Sequence, residues 1–149
     1  MPTSRQTLGI FGETMVAKSC QCPRYKGSDT LKRFPQNFKC ADLICDFCGF
    51  LGQVKASTAR DLTILPKRLL GAAWSPQKAR MDAAIYFPLF LVLVTADHKK
   101  YAIYYLSSDL QTRELFSPRE PLGENAKRAG WRGFIYKLHI VQDRFVRLK

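Results

Sequence analysis

The sequence predicts an α/β domain, and three observations carry that reading. A segment of helical period opens the chain, two short strand candidates joined by a tight turn follow it, and a nearly unbroken apolar run lies in the middle of the sequence. Residues 4–18 place Leu8, Phe11, Met15 and Val16 on one face of a helix, which Gly9 and Gly12 weaken. Residues 20–39 read as irregular, with two prolines and several Lys and Arg. The run from Phe38 to Cys45 is the first strand of a hairpin, residues 46–49 are its turn, and residues 50–56 are its return strand. A second helix starts near Ser75, with Ser75 as cap, Pro76 in the first helical position, and Met81, Ala84 and Ile85 facing inward. Residues 87–95 form the most apolar strand, with Pro88 at its start. Residues 101–106 form the next strand, and two further strand candidates lie at 134–138 and 145–148.

Length and charge bound the function. A chain of 149 residues is enough for one domain with one core. The 24 Lys and Arg against 12 Asp and Glu give a formal net charge of +12, a field that attracts phosphate and so points to a polyanion partner. The polar start has no apolar stretch of the signal-peptide kind, and the apolar run from Tyr86 to Thr95 is too short to span a bilayer. A cytoplasmic location is therefore expected. There disulfides are disfavoured, and the five cysteines call for another explanation.

The cysteines fall into two clusters. Cys45 and Cys48 have the C-x-x-C spacing of a zinc knuckle, Cys20 and Cys22 stand upstream, and Cys40 lies inside the first hairpin strand. Four of them suit one structural zinc, with Cys40 as the non-ligand; the bland alternative is that all five are small buried hydrophobes. The same hairpin carries Asp42 on its first strand, and Gln53 and Lys55 two apart on its second, so the latter two project from one face. A carboxylate and a polar–x–Lys pair on neighbouring strands are the groups that phosphodiester hydrolysis requires. Oxygen ligands hold Mg²⁺ at the scissile phosphate, and an ammonium orients the water and stabilises developing charge. Taken alone, this pattern also fits a solvent-facing polar hairpin.

The run C-A-D-L-I-C-D-F-C-G-F-L-G-Q-V-K from Cys40 resembles the zinc-and-catalytic hairpin of DpnI-type restriction endonucleases, members of the PD-(D/E)XK nuclease superfamily. A second match, P-R-E-P-L-G-E-N-A-K-R-A-G-W-R-G from Pro118, resembles a basic segment of the same family, and I-V-Q-D-R-F-V-R from Ile140 also fits. The resemblance runs from about Glu13 onward. It implies a restriction-endonuclease-like mixed central sheet flanked by helices, with a zinc knuckle, in a single nuclease domain expected over residues 1–149. It also implies that Asp42 binds metal, that Lys55 is the catalytic lysine, and that Glu13 is an extra acidic ligand. Cys45 and Cys48 become the downstream zinc pair and Cys22 the first upstream ligand.

Three departures from the family pattern stand out, one being that the C-terminal winged helix of the DpnI-type enzyme is not expected here. Gln53 occupies the usual Glu position, where its oxygen can bind a metal but brings no charge. Tyr25 stands where the family has the second cysteine of its upstream pair, which leaves Cys20 as the nearest substitute. Lys127, Arg128 and Arg132 surround Trp131, either as solvated residues around a buried indole or as a phosphate-contacting loop near the active cleft. His98 and His139 are isolated and carry no assigned chemistry. The resulting expectation is a Mg²⁺- or Mn²⁺-dependent endonuclease acting on double-stranded DNA, possible methylation dependence included, with structural Zn²⁺. Its rivals are a catalytically inactive, zinc-stabilised DNA-binding module and a zinc-stabilised protein–protein adaptor.

Overall fold

A computed structural model describes residues 3–35 and 41–149. The chain divides into two compact units, one made of Met1–Ile64, Phe87–Ser108 and Phe145–Lys149, the other of Leu65–Tyr86 and Asp109–Arg144. Among the described residues each unit holds one sheet and one α-helix, so the chain is mixed α/β.

The first unit opens with helix α1, Ser4–Ser19. A capping box starts it: the Thr3 hydroxyl accepts from the Gln6 amide, and the Gln6 side chain accepts from the Thr3 amide. The strands are β1 (Leu31–Arg33), β2 (Leu43–Cys45), β3 (Leu51–Thr58), β5 (Leu89–Val94), β6 (Tyr101–Leu106) and β9 (Val146–Arg147), in the spatial order β1-β2-β3-β5-β6-β9. The expected mixed sheet is present, since β3 and β5 run parallel and every other pair is antiparallel. All six residues of β5 are buried, which explains why the strand reads as a continuous apolar run with no alternation.

Helix α1 lies on the face of β3 that carries Val54 and Ala56. A Cβ on Gly12 would sit 3.0 Å from the Ala56 Cβ, so the close approach of helix to strand depends on this glycine, which in sequence terms only lowers helix propensity. Val16, Leu31, Leu43, Val54, Phe90, Val92 and Ile103 belong to one buried cluster beneath the helix.

The second unit pairs β4 (Leu69–Gly71), β8 (Phe134–Tyr136) and β7 (Phe116–Pro118) in an antiparallel sheet. Its helix α2, Trp74–Asp82, begins one residue before the expected cap. Ala73 is the cap residue and makes no side-chain bond, while Ser75 and Pro76 fall inside the first turn. The proline is tolerated there because the first four amides of a helix have no intrahelical acceptor. Met81 faces inward as expected, joined by Gln77, but Ala84 and Ile85 do not. The helix ends at Asp82, Ala84 adopts a positive φ of 58°, and both residues lose the helical phase that would have turned them inward.

Among the described residues no helix is long and apolar enough to cross a membrane. The first part of the expected hairpin strand, including Cys40, lies outside the described residues.

Candidate functional site

Three thiols converge in the first unit. The ligand atoms of Cys22, Cys45 and Cys48 all lie within 4.8 Å of one another, and the Cys22 and Cys48 sulfurs are 3.6 Å apart. A tetrahedral zinc with bonds of about 2.3 Å to sulfur sets its sulfurs about 3.8 Å apart, so the spacing fits such an ion. Cys20 does not join them. Its thiol stands outside the group, and burial, partly offset by Lys149, pushes it up to about 11. Cys20, expected to replace the ligand missing at Tyr25, is thus not among the three thiols that the structure groups.

The thiols are placed by two copies of one turn. In the downstream turn the Cys48 amide donates to the Cys45 sulfur at 3.5 Å, the Gly49 amide to the Cys45 carbonyl at 2.8 Å, and the Cys45 amide to the Phe50 carbonyl at 2.8 Å. Upstream, the Tyr25 amide donates to the Cys22 sulfur at 3.3 Å, the Lys26 amide to the Cys22 carbonyl at 2.8 Å, and the Cys22 amide to the Gly27 carbonyl at 3.3 Å. The fifth residue of each turn has positive φ, 78° at Gly49 and 66° at Lys26. Glycine takes that conformation freely and lysine does so with strain.

Hydrogen bonds also tune the thiols. Burial pushes Cys45 up, but hydrogen bonds from the Thr30 hydroxyl and from the Cys48 and Phe47 amides outweigh it and bring the thiol down to about 6. Burial dominates at Cys22, whose thiol rises despite the Tyr25 and Arg24 amides.

Asp42, Lys55 and Glu13 meet near a fork in the same sheet. Strand β3 pairs with β2 only at Leu43↔Gly52 and Ile44↔Leu51, whereas its pairing with β5 runs on from Gln53 to Thr58. Where β2 leaves β3, the Asp42 amide still donates to the Gly52 carbonyl at 3.0 Å. Two residues further along β3, the Val54 amide donates to Asp42 Oδ2 at 2.8 Å, so a side chain ends the ladder.

Burial and the Asp42 charge push the Glu13 carboxyl up, against the lowering influence of Arg33 and Lys55. Burial likewise raises Asp42, opposed by the Val54 amide and by Lys55. Burial depresses the Lys55 ammonium, while Asp42 and Glu13 support its charge. The structure thus brings Asp42, Lys55 and Glu13 within electrostatic reach of one another. Gln53 lies two residues before Lys55 on the same strand, its backbone amide bonded to the Pro88 carbonyl at 2.9 Å. Two half-buried carboxylates, each raised by burial and one of them also by its neighbour's charge, beside an ammonium are a donor set that a divalent cation would stabilise.

Sequence reasoning did not single out Arg33, whose guanidinium lies 3.8 Å from Glu13. It sits on β1, a three-residue strand too short to display alternation in the sequence.

The basic segment lies in the second unit and is described there by itself. Lys127, Arg128 and Arg132 are exposed, and Trp131 is exposed too, in place of a buried indole. Its indole N–H donates to the Ala72 carbonyl at 2.7 Å, the Arg128 guanidinium lies 4.6 Å from its ring centroid, and Gly130 takes φ 79°. The loop is closed by the Leu122 amide on the Trp131 carbonyl and the Gly130 amide on the Leu122 carbonyl, both 2.9 Å.

No curated protein matches the chain. Residues 2–146 match the family described as DpnI: Dam-replacing family, nearly the whole sequence, and the chain belongs to that family.

Proposed function

We propose that the chain is a Mg²⁺-dependent DNA endonuclease of a restriction system, built as a PD-(D/E)XK-like nuclease domain over residues 1–149 and stabilised by a structural zinc. The observation that carries this reading is the placement of Asp42, held by the Val54 amide, near Lys55 and Glu13 at the sheet fork, in a chain of the Dam-replacing family. Asp42, Gln53 and Glu13 would hold Mg²⁺ or Mn²⁺. Bound there, the ion supplies charge neutralisation at a phosphodiester.

Asp42 Oδ2 accepts from the Val54 amide, which fixes the carboxylate that would hold the cation. Lys55, its charge supported by two carboxylates, orients the attacking water and stabilises charge on the phosphate oxygens. Gln53 contributes one neutral oxygen. Cys22, Cys45 and Cys48 hold the zinc, which is distant in role from the chemistry and acts through folding. Lys127, Arg128 and Arg132 contact the phosphates of double-stranded DNA. A reducing cytoplasm, where free thiols persist, suits this cysteine usage.

The neutral Gln53 favours a second reading, a catalytically inactive zinc-stabilised DNA-binding module. One experiment separates them: incubation of the purified protein with methylated and unmethylated plasmid, with Mg²⁺, with Mn²⁺ and with chelator. Cleavage that disappears with chelator supports the nuclease. Binding without cleavage of any substrate under all metal conditions supports the module.

A further inference from the structure

The two matching turns differ at one place that matters for a metal. Their fourth residues are Cys48 downstream and Tyr25 upstream, and both donate a backbone N–H to the first cysteine of their turn. Tyr25 therefore occupies the position from which a fourth thiolate would complete a tetrahedral set. Its ring goes elsewhere. It stacks on Phe47, in the other turn, with centroids 3.9 Å apart and planes 24° off parallel. It also lies against Gly27, where a Cβ would come within 2.2 Å of a ring carbon. Tyr25 is 42% exposed and Phe47 68% exposed, and Cys48 is half-buried, so this side of the thiol group lies at the surface. Among the described residues no further Cys, His, Asp or Glu joins the group.

We propose that Cys22, Cys45 and Cys48 form a three-thiolate zinc site whose fourth position is open and taken by a water molecule, while Tyr25 ties the two turns together by stacking on Phe47 and does not coordinate. The proposal rests on the reading of the thiol group as a zinc site. It assigns two functions to what is ordinarily one residue. The mechanical link between the turns passes to an aromatic pair, and the coordination position passes to solvent. A site with three protein ligands and one exchangeable position is of the open kind, in contrast to a saturated structural one.

X-ray absorption at the zinc edge on the full chain tests this directly, with no reference to DNA cleavage. The wild-type protein should show three sulfurs and one oxygen or nitrogen donor at zinc. Tyr25→Cys should show four sulfurs, and Tyr25→Phe should keep the wild-type shell, because the phenolic oxygen is not a ligand. Cys20→Ser should also leave the shell unchanged. Phe47→Ala should keep three sulfurs but release zinc to a chelator about 2- to 10-fold faster, the range expected for one lost aromatic pair. Four sulfurs in the wild-type protein overturn the proposal and leave the zinc reading standing. So does loss of the light donor in Tyr25→Phe. Unchanged release from Phe47→Ala overturns the role of the stack. A folded wild-type protein that binds no zinc overturns both the proposal and the zinc reading beneath it.

Discussion

The thiol group and the acidic fork lie in the same unit and share a strand hairpin, yet they are organised by different forces. The thiols are already gathered, with the Cys22 and Cys48 sulfurs 3.6 Å apart, and backbone amides in the two turns hold the Cys22 and Cys45 sulfurs. At the fork, Glu13, Asp42 and Lys55 sense one another's charge, and the closest fixed contact is the 2.8 Å bond from the Val54 amide to Asp42. Turn hydrogen bonds can preorganise soft, near-neutral ligands at little electrostatic cost. Carboxylates cannot be packed equally close without a cation, since burial and like charge both act against them. The difference predicts that the knuckle governs folding and the fork governs chemistry.

The largest expected effect tests the chemical half of that division. Asp42→Asn keeps an oxygen for the Val54 amide but removes the charge, so cleavage should fall roughly a thousandfold while the fold persists. Lys55→Ala should fall as far. Alanine at 42 is a poorer probe, because it strands a Val54 amide that Asp42 now satisfies, at a cost of about 1–3 kcal/mol. Asp42→Asn should also lower the Glu13 pKa in the metal-free protein, since the Asp42 charge is one of the two influences raising it. Carbon-detected NMR titration of the Glu13 carboxyl reads this. An unmoved Glu13 would mean that the two residues do not share a site.

Cys45→Ser tests the folding half. Losing one of three thiolates should cost about 3 kcal/mol of stability, a fall in Tm of roughly 10 °C for a chain of this size. Thermal unfolding with and without chelator measures it. A serine variant as stable as wild type, and equally indifferent to chelator, would remove the knuckle from the folding account.

How far these regions were legible in the sequence follows from the same contrast. The helix from Ser4, the fully buried strand β5 and the Cys45–Cys48 turn all have short-range signatures, in apolar period, an unbroken apolar run and fixed spacing. The upstream turn does not, because only Cys22 marks it. Tyr25 and Lys26 replace the Cys and Gly that make its twin readable, and the match appears only in the hydrogen bonds. Cys20 is the nearest cysteine in sequence, yet the grouped thiols are those of Cys22, Cys45 and Cys48. At the fork, Asp42 and Lys55 could be read from hairpin geometry, but the arrival of Glu13 depends on α1 pressing onto β3 at Gly12, a tertiary event that no local pattern encodes.

The basic loop sharpens the comparison from outside, because it should affect affinity and neither folding nor chemistry. Replacing Lys127, Arg128 and Arg132 with Ala should reduce the slope of log affinity against log salt by up to about 2.7, if each contacts one phosphate. Fluorescence anisotropy with duplex DNA over a salt series measures it. An unchanged slope would make the Arg128–Trp131 stack and its loop purely structural.

The smallest expected effect comes from Gln53→Glu. The substitution is nearly isosteric, and the backbone bond from residue 53 to the Pro88 carbonyl does not involve the side chain, so the β3–β5 ladder should survive. It would place a third carboxylate beside Asp42 and Glu13, which burial raises and, at Glu13, the Asp42 charge raises further. Without metal the added charge should therefore lower stability slightly. With Mg²⁺ it becomes an anionic ligand, and the metal concentration needed for half-maximal cleavage should fall about tenfold. Two measurements read this together: Tm with and without Mg²⁺, and cleavage against metal concentration. The variant should show a larger Mg²⁺-induced rise in Tm than wild type. If Gln53 does not face the metal, the rise in Tm and the metal requirement will both match wild type, and the donor set at the fork reduces to Asp42 and Glu13.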